Sequence, residues 1–234
     1  MLYPTQMRSC VVVPSRGRPL NAYRLAKAFR DTNAEADLFF VIDNDDPLWH
    51  DYVRFEDEFE YRCLPAENKT GGCAKSLNDV AVLLLDITKF PLYDYFVFMG
   101  DDHLPRTQGW DQALVEAIGL DQGIAYGDDL LQGANLPTAY AMSRGLVNEL
   151  RGMTFPGCIH LFFDNFVKQL GIDLDCLKYL PDVIIEHIHP AAGKAEMDAG
   201  YERVNQPKWY EQDLLTLQKY LVSTEYATLV RKFK

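Results

Sequence analysis

Cysteine is scarce in this chain of 234 residues. It occurs five times, at Cys10, Cys63, Cys73, Cys158 and Cys176. No two form a C-x-x-C pair, which excludes the common zinc and dithiol redox motifs. An odd, scattered set fits a reducing cytoplasm better than a disulfide scaffold. The first residues, MLYPTQMRSCVVVPS, lack the long apolar region of a signal peptide. No apolar run approaches the length that spans a bilayer, so no membrane partner is expected. Positive charge is in deficit: 23 Lys and Arg against 34 Asp and Glu, a net charge of −11. That balance opposes non-specific binding of nucleic acid over a broad surface. It leaves room for a local basic groove, or for a metal-filled acidic cleft that receives a diphosphate. Three common catalytic signatures are also missing. Gly71-Gly-Cys-Ala-Lys-Ser76 has Ala74 where a phosphate-binding P-loop needs its second glycine. No G-x-G-x-x-G follows the first strand, and no G-x-S-x-G marks a hydrolase elbow. Internal repeats and low-complexity linkers are absent.

What remains is an ordinary globular composition, 48% hydrophobic and 24% charged, enough for a sizeable core. Short apolar runs alternate with helical periodicity, which predicts a largely parallel sheet covered by helices. Strands are expected at 10–14, 37–42, 61–64, 95–99, 123–126, 139–142 and 183–189. Helices are expected at 20–29, 73–86, 110–119, 143–152 and 163–171, with an acidic, aromatic helix and turn over 49–59. Thr70-Gly-Gly72 opens the helix at 73. Residues 193–206 are polar and read as a mobile segment. A C-terminal amphipathic helix over 209–233, broken near Ser223, offers Leu214, Leu217, Leu221 and Leu229 to the core.

Three strands end in polar clusters: Ser15-Arg-Gly-Arg18, Asp43-Asn-Asp-Asp46 and Gly100-Asp-Asp-His103. In a parallel sheet these ends share one edge, where ligands bind. Arg16 and Arg18 can meet phosphates, and Asp43 can accept from a base N–H or a ribose hydroxyl. Adjacent carboxylates at Asp101 and Asp102 suit a hard divalent cation beside phosphate oxygens. An isolated Asp-Asp more often bonds its own turn backbone. Glu186-His-Ile-His-Pro190 places His187 and His189 two apart on a strand, hence on one face. Two imidazoles near acids are good ligands for Mn2+ or Mg2+, although an exposed pair on an edge strand is an equal reading.

These motifs, in their order, resemble the GT-A glycosyltransferases, specifically the soluble family-two-like enzymes common in bacteriophages. The resemblance runs from Cys10 to Asn205. It rests on VVVPSRGRP, VIDNDDP, FMGDDH, Gly109-Trp110, FFDNF, and EHIHP followed by GKAEMD. It implies an α/β fold: a single GT-A (Rossmann-like) domain with a mixed, mostly parallel sheet flanked by helices and a C-terminal helical segment. Residues 1–105 would form the nucleotide-binding half, 106–208 the acceptor-binding half with the metal histidine, and 209–234 the C-terminal helix.

The implied activity is metal-dependent transfer of a hexose from a nucleoside diphosphate, with UDP as the expected nucleotide, to an acceptor hydroxyl with inversion. Asp43 would recognise uracil. Asp102 would bind the metal with Asp101 beside it, and Gly100 stands where the first Asp of D-x-D is usual. His187, or its rival His189, would complete the metal site. Asp164 would be the catalytic base; a helix N-cap is its plain structural alternative. Pro14, Ser15, Arg16, Arg18, Asp43, Asp45, Lys75, Asn78, Asp101 and Lys194 make up the donor-facing set. Lys75 and Asn78 read equally well as a solvated helix face. The acceptor is open: a hydroxymethylated pyrimidine in phage DNA, a protein or a glycan. A DNA acceptor needs a basic path, for which Lys168, Lys178, Lys194, Arg203 and Lys208 are at hand, with Trp209 and Tyr210 to stack a base. A nucleotidyltransferase, or a non-catalytic nucleotide-sugar binding module, would use many of the same residues.

Overall fold

Four apolar runs, each closed by a polar cluster or a turn, build the parallel half of one sheet. A computed structural model describes residues 7–67 and 72–234. Thr70 and Gly71 of the expected helix opening therefore lie outside the described residues. Strands β1 (Ser9–Ser15), β2 (Asp37–Asp43), β3 (Tyr61–Ala66) and β4 (Tyr95–Phe98) lie in the order β3-β2-β1-β4, all parallel. Alternate residues of β1 enter opposite faces: Cys10 and Val12 pack into one apolar layer, Val11 and Val13 into the other. All four are fully buried, as expected for a strand covered on both sides. Burying such a side chain contributes about 1.5–3 kcal/mol.

The second half of the chain extends this sheet with mixed polarity. Strand β7 (Tyr140–Ser143) pairs antiparallel with β4, and β6 (Ile124–Asp128) antiparallel with β7. Strand β8 (Leu177–His187) runs parallel to β6, then continues past a register shift to pair antiparallel with β5 (His103–Pro105). Among the described residues, four of the seven pairings are parallel, so the sheet is mixed and only narrowly parallel in the majority. Strand β8 is longer than the 183–189 expected, because its first residues, Lys178 to Leu180, alternate weakly and sit half in solvent. Strand β5 was not expected at all; three residues carry too little periodicity to register.

Helices cover both faces. On one lie α1 (Pro19–Asp31) and α5 (Trp110–Ile118), with the short α2 (Trp49–Val53) and α3 (Glu56–Phe59) alongside. On the other lie α4 (Ala74–Leu84), α6 (Arg144–Leu150) and α7 (Phe163–Asp173). The polar stretch expected to be mobile is instead ordered: a 3-10 turn at Pro190–Ala192 is followed by helix α8 (Ala199–Val204). Asp198 caps α8 by accepting from the Tyr201 N–H at 3.0 Å. The C-terminal segment is two helices, α9 (Pro207–Leu221) and α10 (Thr224–Phe233), broken at Ser223 as the sequence indicated. Ser223 caps α10 through the Tyr226 N–H. Leu217 and Leu229 enter the core, Leu221 packs at its margin, and Leu214 stays half-buried. No helix among the described residues is long and apolar enough to cross a membrane. All five cysteines are free thiols.

Candidate active site

The turn after β1 is held by a chain of hydroxyl groups. The Arg18 backbone N–H donates to the Tyr52 hydroxyl at 2.7 Å, and that hydroxyl lies 3.0 Å from Ser15 Oγ. Ser15 Oγ donates to Asp101 Oδ2 at 2.5 Å, so the proton between the two hydroxyls comes from Tyr52. Asp46 accepts the N–H of Gly17, whose positive φ only glycine adopts without strain. These bonds tie the ends of β1, β2 and β4 together before any ligand arrives. Asp43, at the end of β2, is buried and touched on both oxygens, by Arg16 Nη1 at 3.0 Å and by Ser76 Oγ at 3.4 Å.

The two adjacent carboxylates separate in role. Asp101 is buried against Ser15 and Arg18, and burial beside Asp102 raises its carboxyl above the ordinary range. Asp102 is held well below it: burial opposes ionisation, but the facing His103 and His187 rings outweigh that cost. Asp102 Oδ2 lies 3.3 Å from His187 Nε2 and accepts the Tyr201 hydroxyl at 2.6 Å. Gly100 stands in place of an acid for a steric reason. A Cβ there would lie 2.5 Å from Asp102 Oδ1 and 3.1 Å from His103 Nδ1. Burial lowers the basicity of His187, yet Asp102 and Asp129 raise it to about 9.

Asp102, His103 and His187 form a cluster whose ligating atoms lie within 4.8 Å of one another. The donor set, a carboxylate with imidazole, fits a manganese-like or magnesium cation. His187 turns Nε2 toward Asp102, while its Nδ1 is buried with no hydrogen-bond partner. His189 stands outside the cluster. Its ring lies 4.9 Å from that of His187, but its Nδ1 accepts the Ala191 N–H and so caps the 3-10 turn.

Asp164 sits in the first turn of α7, and the N-cap is Phe162, whose side chain is apolar. Asp164 Oδ1 accepts from its neighbour Asn165, at 2.8 Å. Burial raises its carboxyl above the usual value. The loop before α7 is fixed from α9. Asp213, fully buried, accepts the N–H groups of Ile159, His160 and Leu161 at 2.8–2.9 Å. That loop in turn closes the start of α4. The Cys73 N–H donates to His160 Nδ1, and the Ala74 N–H to the Ile159 carbonyl. Two amides of that stretch, those of Cys73 and Ala74, are thus already taken. Burial pushes His160 down to about 4, so its ring is neutral.

Asp213→Asn is therefore expected to destabilise the fold. The amide keeps one acceptor and turns a donor toward N–H groups that need acceptors. An unsatisfied buried donor costs about 1–3 kcal/mol, and each kcal/mol shifts Tm by roughly 2–4 °C at this chain length. Thermal unfolding that left Tm unchanged would show that the three bonds contribute nothing net.

One cavity of about 300 Å³ gathers these groups. Of the residues singled out from sequence, Pro14, Ser15, Arg16, Arg18, Asp43, Asp101, Asp102, Asp164, His187 and His189 line it. Four do not. Asp45 is exposed and pairs with Arg16. Lys75 is exposed and pairs with Asp79, one helical turn away. Asn78 Oδ1 accepts the Met153 and Thr154 N–H groups and so braces a loop. Lys194 Nζ pairs with Glu186 at 2.8 Å. Sequence reasoning missed His103, Thr138, His160, Tyr201 and, as a cavity residue, Arg203. His103 is the cross-strand partner of His187, which only the β5–β8 register reveals. Arg203 has a buried Nε without a hydrogen-bond partner and no ion pair among the described residues.

No protein-family model matches the sequence, and no curated protein does. Solved structures do. Mannosyltransferase PcManGT from Pyrobaculum calidifontis, in complex with GDP-Man and Mn2+, is 14% identical with a TM-score of 0.60; the match covers 98% of this chain and 80% of that one. Glucosyl-3-phosphoglycerate synthase from Mycobacterium tuberculosis, in complex with phosphoglyceric acid, is 12% identical with a TM-score of 0.61, covering 92% and 80%. HddC from Yersinia pseudotuberculosis is 12% identical with a TM-score of 0.53, covering 97% and 100%. The chain has the GT-A fold. In that fold the cavity lies over the ends of the parallel strands, at the point where β1 is flanked by β2 and β4 on opposite sides.

Proposed function

We propose that this protein is a metal-dependent glycosyltransferase that moves a sugar from a nucleoside diphosphate, UDP foremost, to an acceptor hydroxyl. One observation carries the reading: Asp43, Asp102, Asp164 and His187 line the same cavity, from four separate regions of the chain. Two neighbours of the same fold are solved in complex with GDP-Man and Mn2+ and with UDP and Mn2+, which adds support.

In this reading Asp43 exchanges Arg16 or Ser76 for a polar group of the base. Asp102 and His187 hold the cation, which when bound neutralises the charge that gathers on the departing diphosphate. Arg203, which lines the cavity, supports that charge in place of the expected donor-facing Lys194, because Lys194 is committed to Glu186. Asp164 accepts the acceptor hydroxyl proton as that oxygen attacks the anomeric carbon, a displacement that inverts configuration. Its raised proton affinity and its lack of a strong partner favour the base over the N-cap.

The DNA acceptor loses part of its expected basic path, and the net charge of −11 opposes it. Lys168 and Lys178 donate to the carbonyls of Asn135 and Ala117, Lys194 pairs with Glu186, and Lys208 lies over the Trp209 ring. Tyr210 packs edge-on against Phe162. A protein or glycan hydroxyl is therefore the acceptor we place first.

The test offers UDP- and GDP-sugars with Mn2+ to the protein and a panel of glycans, peptides and hydroxymethylated DNA. Products are read by mass spectrometry. Acceptor gaining a hexose mass with release of nucleoside diphosphate is expected. Release of sugar 1-phosphate in place of nucleoside diphosphate would point to a nucleotidyltransferase instead, and no turnover with any pair would overturn the reading.

A further inference from the structure

His187 has two ring nitrogens, and a cation can use only one. Nε2 faces Asp102 Oδ2 at 3.3 Å. Nδ1 faces inward, buried and without a hydrogen bond, with Asp129 Oδ2 the carboxylate oxygen nearest it at 3.8 Å. Asp129 is 3% exposed, and its Oδ1 accepts three backbone N–H groups, from Leu131, Gln132 and Gly133, at 2.6–3.0 Å. Its Oδ2 accepts the Thr138 hydroxyl at 2.7 Å. Its backbone carbonyl accepts the His187 N–H at 2.9 Å, which fixes the two residues against each other. A carboxylate so anchored cannot follow the ring; the ring must settle against it.

Counting protons fixes the tautomer of the neighbouring histidine, His103. Thr138 has a single hydroxyl proton, and Asp129 takes it. The 3.3 Å contact between His103 Nε2 and Thr138 Oγ1 must then be donated by His103. In a neutral ring this leaves Nδ1 bare, and Nδ1 accepts the Gly100 N–H at 3.1 Å. Nδ1 also lies 3.3 Å from Asp102 Oδ1, so the Gly100 amide and the carboxylate both face it. Its ring lies nearly parallel to that of His187, centroids 4.1 Å apart and 19° between planes, and serves as a platform.

We propose that Asp129 is a positioning residue for the metal site: it takes the Nδ1 proton of His187 and so leaves the Nε2 lone pair to the cation beside Asp102. The assignment rests on the metal-dependent reading above. It follows the general rule that the non-ligating nitrogen of a metal-bound imidazole is fixed by a carboxylate or carbonyl. It makes Asp102 and His187 the principal protein ligands of the three-residue cluster, which leaves coordination positions for phosphate oxygens and water.

The test is Asp129→Asn in the full chain. The amide oxygen can still accept the three loop N–H groups. The amide nitrogen then faces His187 and must donate, which puts the ring proton on Nε2, the side of the cation. Mn2+ affinity, read by calorimetry in the presence of UDP, is expected to fall about 10–100-fold. Uridine affinity without metal is expected to stay at the wild-type value. Equal Mn2+ affinity in variant and wild type overturns the assignment alone. A wild-type protein that binds no Mn2+ overturns the metal reading and this assignment together. A second measurement needs no variant. In wild-type protein with UDP and diamagnetic Mg2+, the imidazole nitrogen spectrum should show His187 protonated at Nδ1. The opposite tautomer overturns the proposal even if Asp129→Asn fails to fold.

Discussion

Asp164→Asn is expected to keep donor affinity and lose most of the rate. A positioned base contributes roughly 10²–10⁴-fold, and the amide cannot accept the proton. The shape of the side chain is nearly unchanged, and Oδ1 can still accept from Asn165. The helix has its N-cap at Phe162, so little stability depends on residue 164. Initial rates against acceptor, with UDP binding measured on the same sample, separate the two effects. The pH profile adds a second check. Burial raises the Asp164 carboxyl, so its base form is present above that raised value and is lost as pH falls through it. The acid limb of kcat/KM should therefore lie above the ordinary aspartate range in the wild-type protein and vanish in Asp164→Asn. Near-normal turnover in the variant would remove Asp164 from the mechanism and reopen retention of configuration.

Asp102→Ala should abolish metal-dependent UDP binding. The carboxylate is where both histidine-bearing strands meet the end of β4, and His187 Nε2 and the Tyr201 hydroxyl converge on the same oxygen. Without it the cation keeps a single principal protein ligand. The His187 ring also loses one of the two carboxylates that hold its proton, so its affinity for that proton should drop from about 9. Calorimetry of UDP with and without Mn2+ reads the first effect, and histidine titration by NMR the second. Wild-type turnover that persisted in excess chelator would dismiss the metal roles of Asp102 and His187 together. Deleting one carboxylate while Asp101 remains is a demanding control, since Asp101 lies next to it but bonds Ser15 and Arg18 instead.

Much of the framework was legible in the sequence because it is written in short periods. The strand at 95–98 shows as an apolar run, and its polar ending is one residue away. The helices show as 3.6-residue stripes, and the break at Ser223 as a capping residue between two of them. Charge identity was legible too: Asp43, Asp102 and Asp164 each stand beside a strand end or helix start that the pattern locates. Lys75, Asn78 and Lys194 do not line the cavity, because sequence shows that a polar side chain is near an edge and cannot show which partner claims it. Asp79, the Met153–Thr154 backbone and Glu186 claimed them.

The sequence alone determined the alternation of strands and helices, the acidic character of the sheet edge and the exclusion of P-loop and dinucleotide sites. Those properties depend on residues within a few positions of one another. Only the tertiary structure decided which groups meet. The pairing of His103 with His187 across β5 and β8 spans 84 positions, and the contact of Tyr201 with Asp102 spans 99. Asp129 reaches His187 only because β6 and β8 run side by side. Sequence periodicity carries no record of such contacts, because strand order and register are set by how the helices close both faces of the whole sheet.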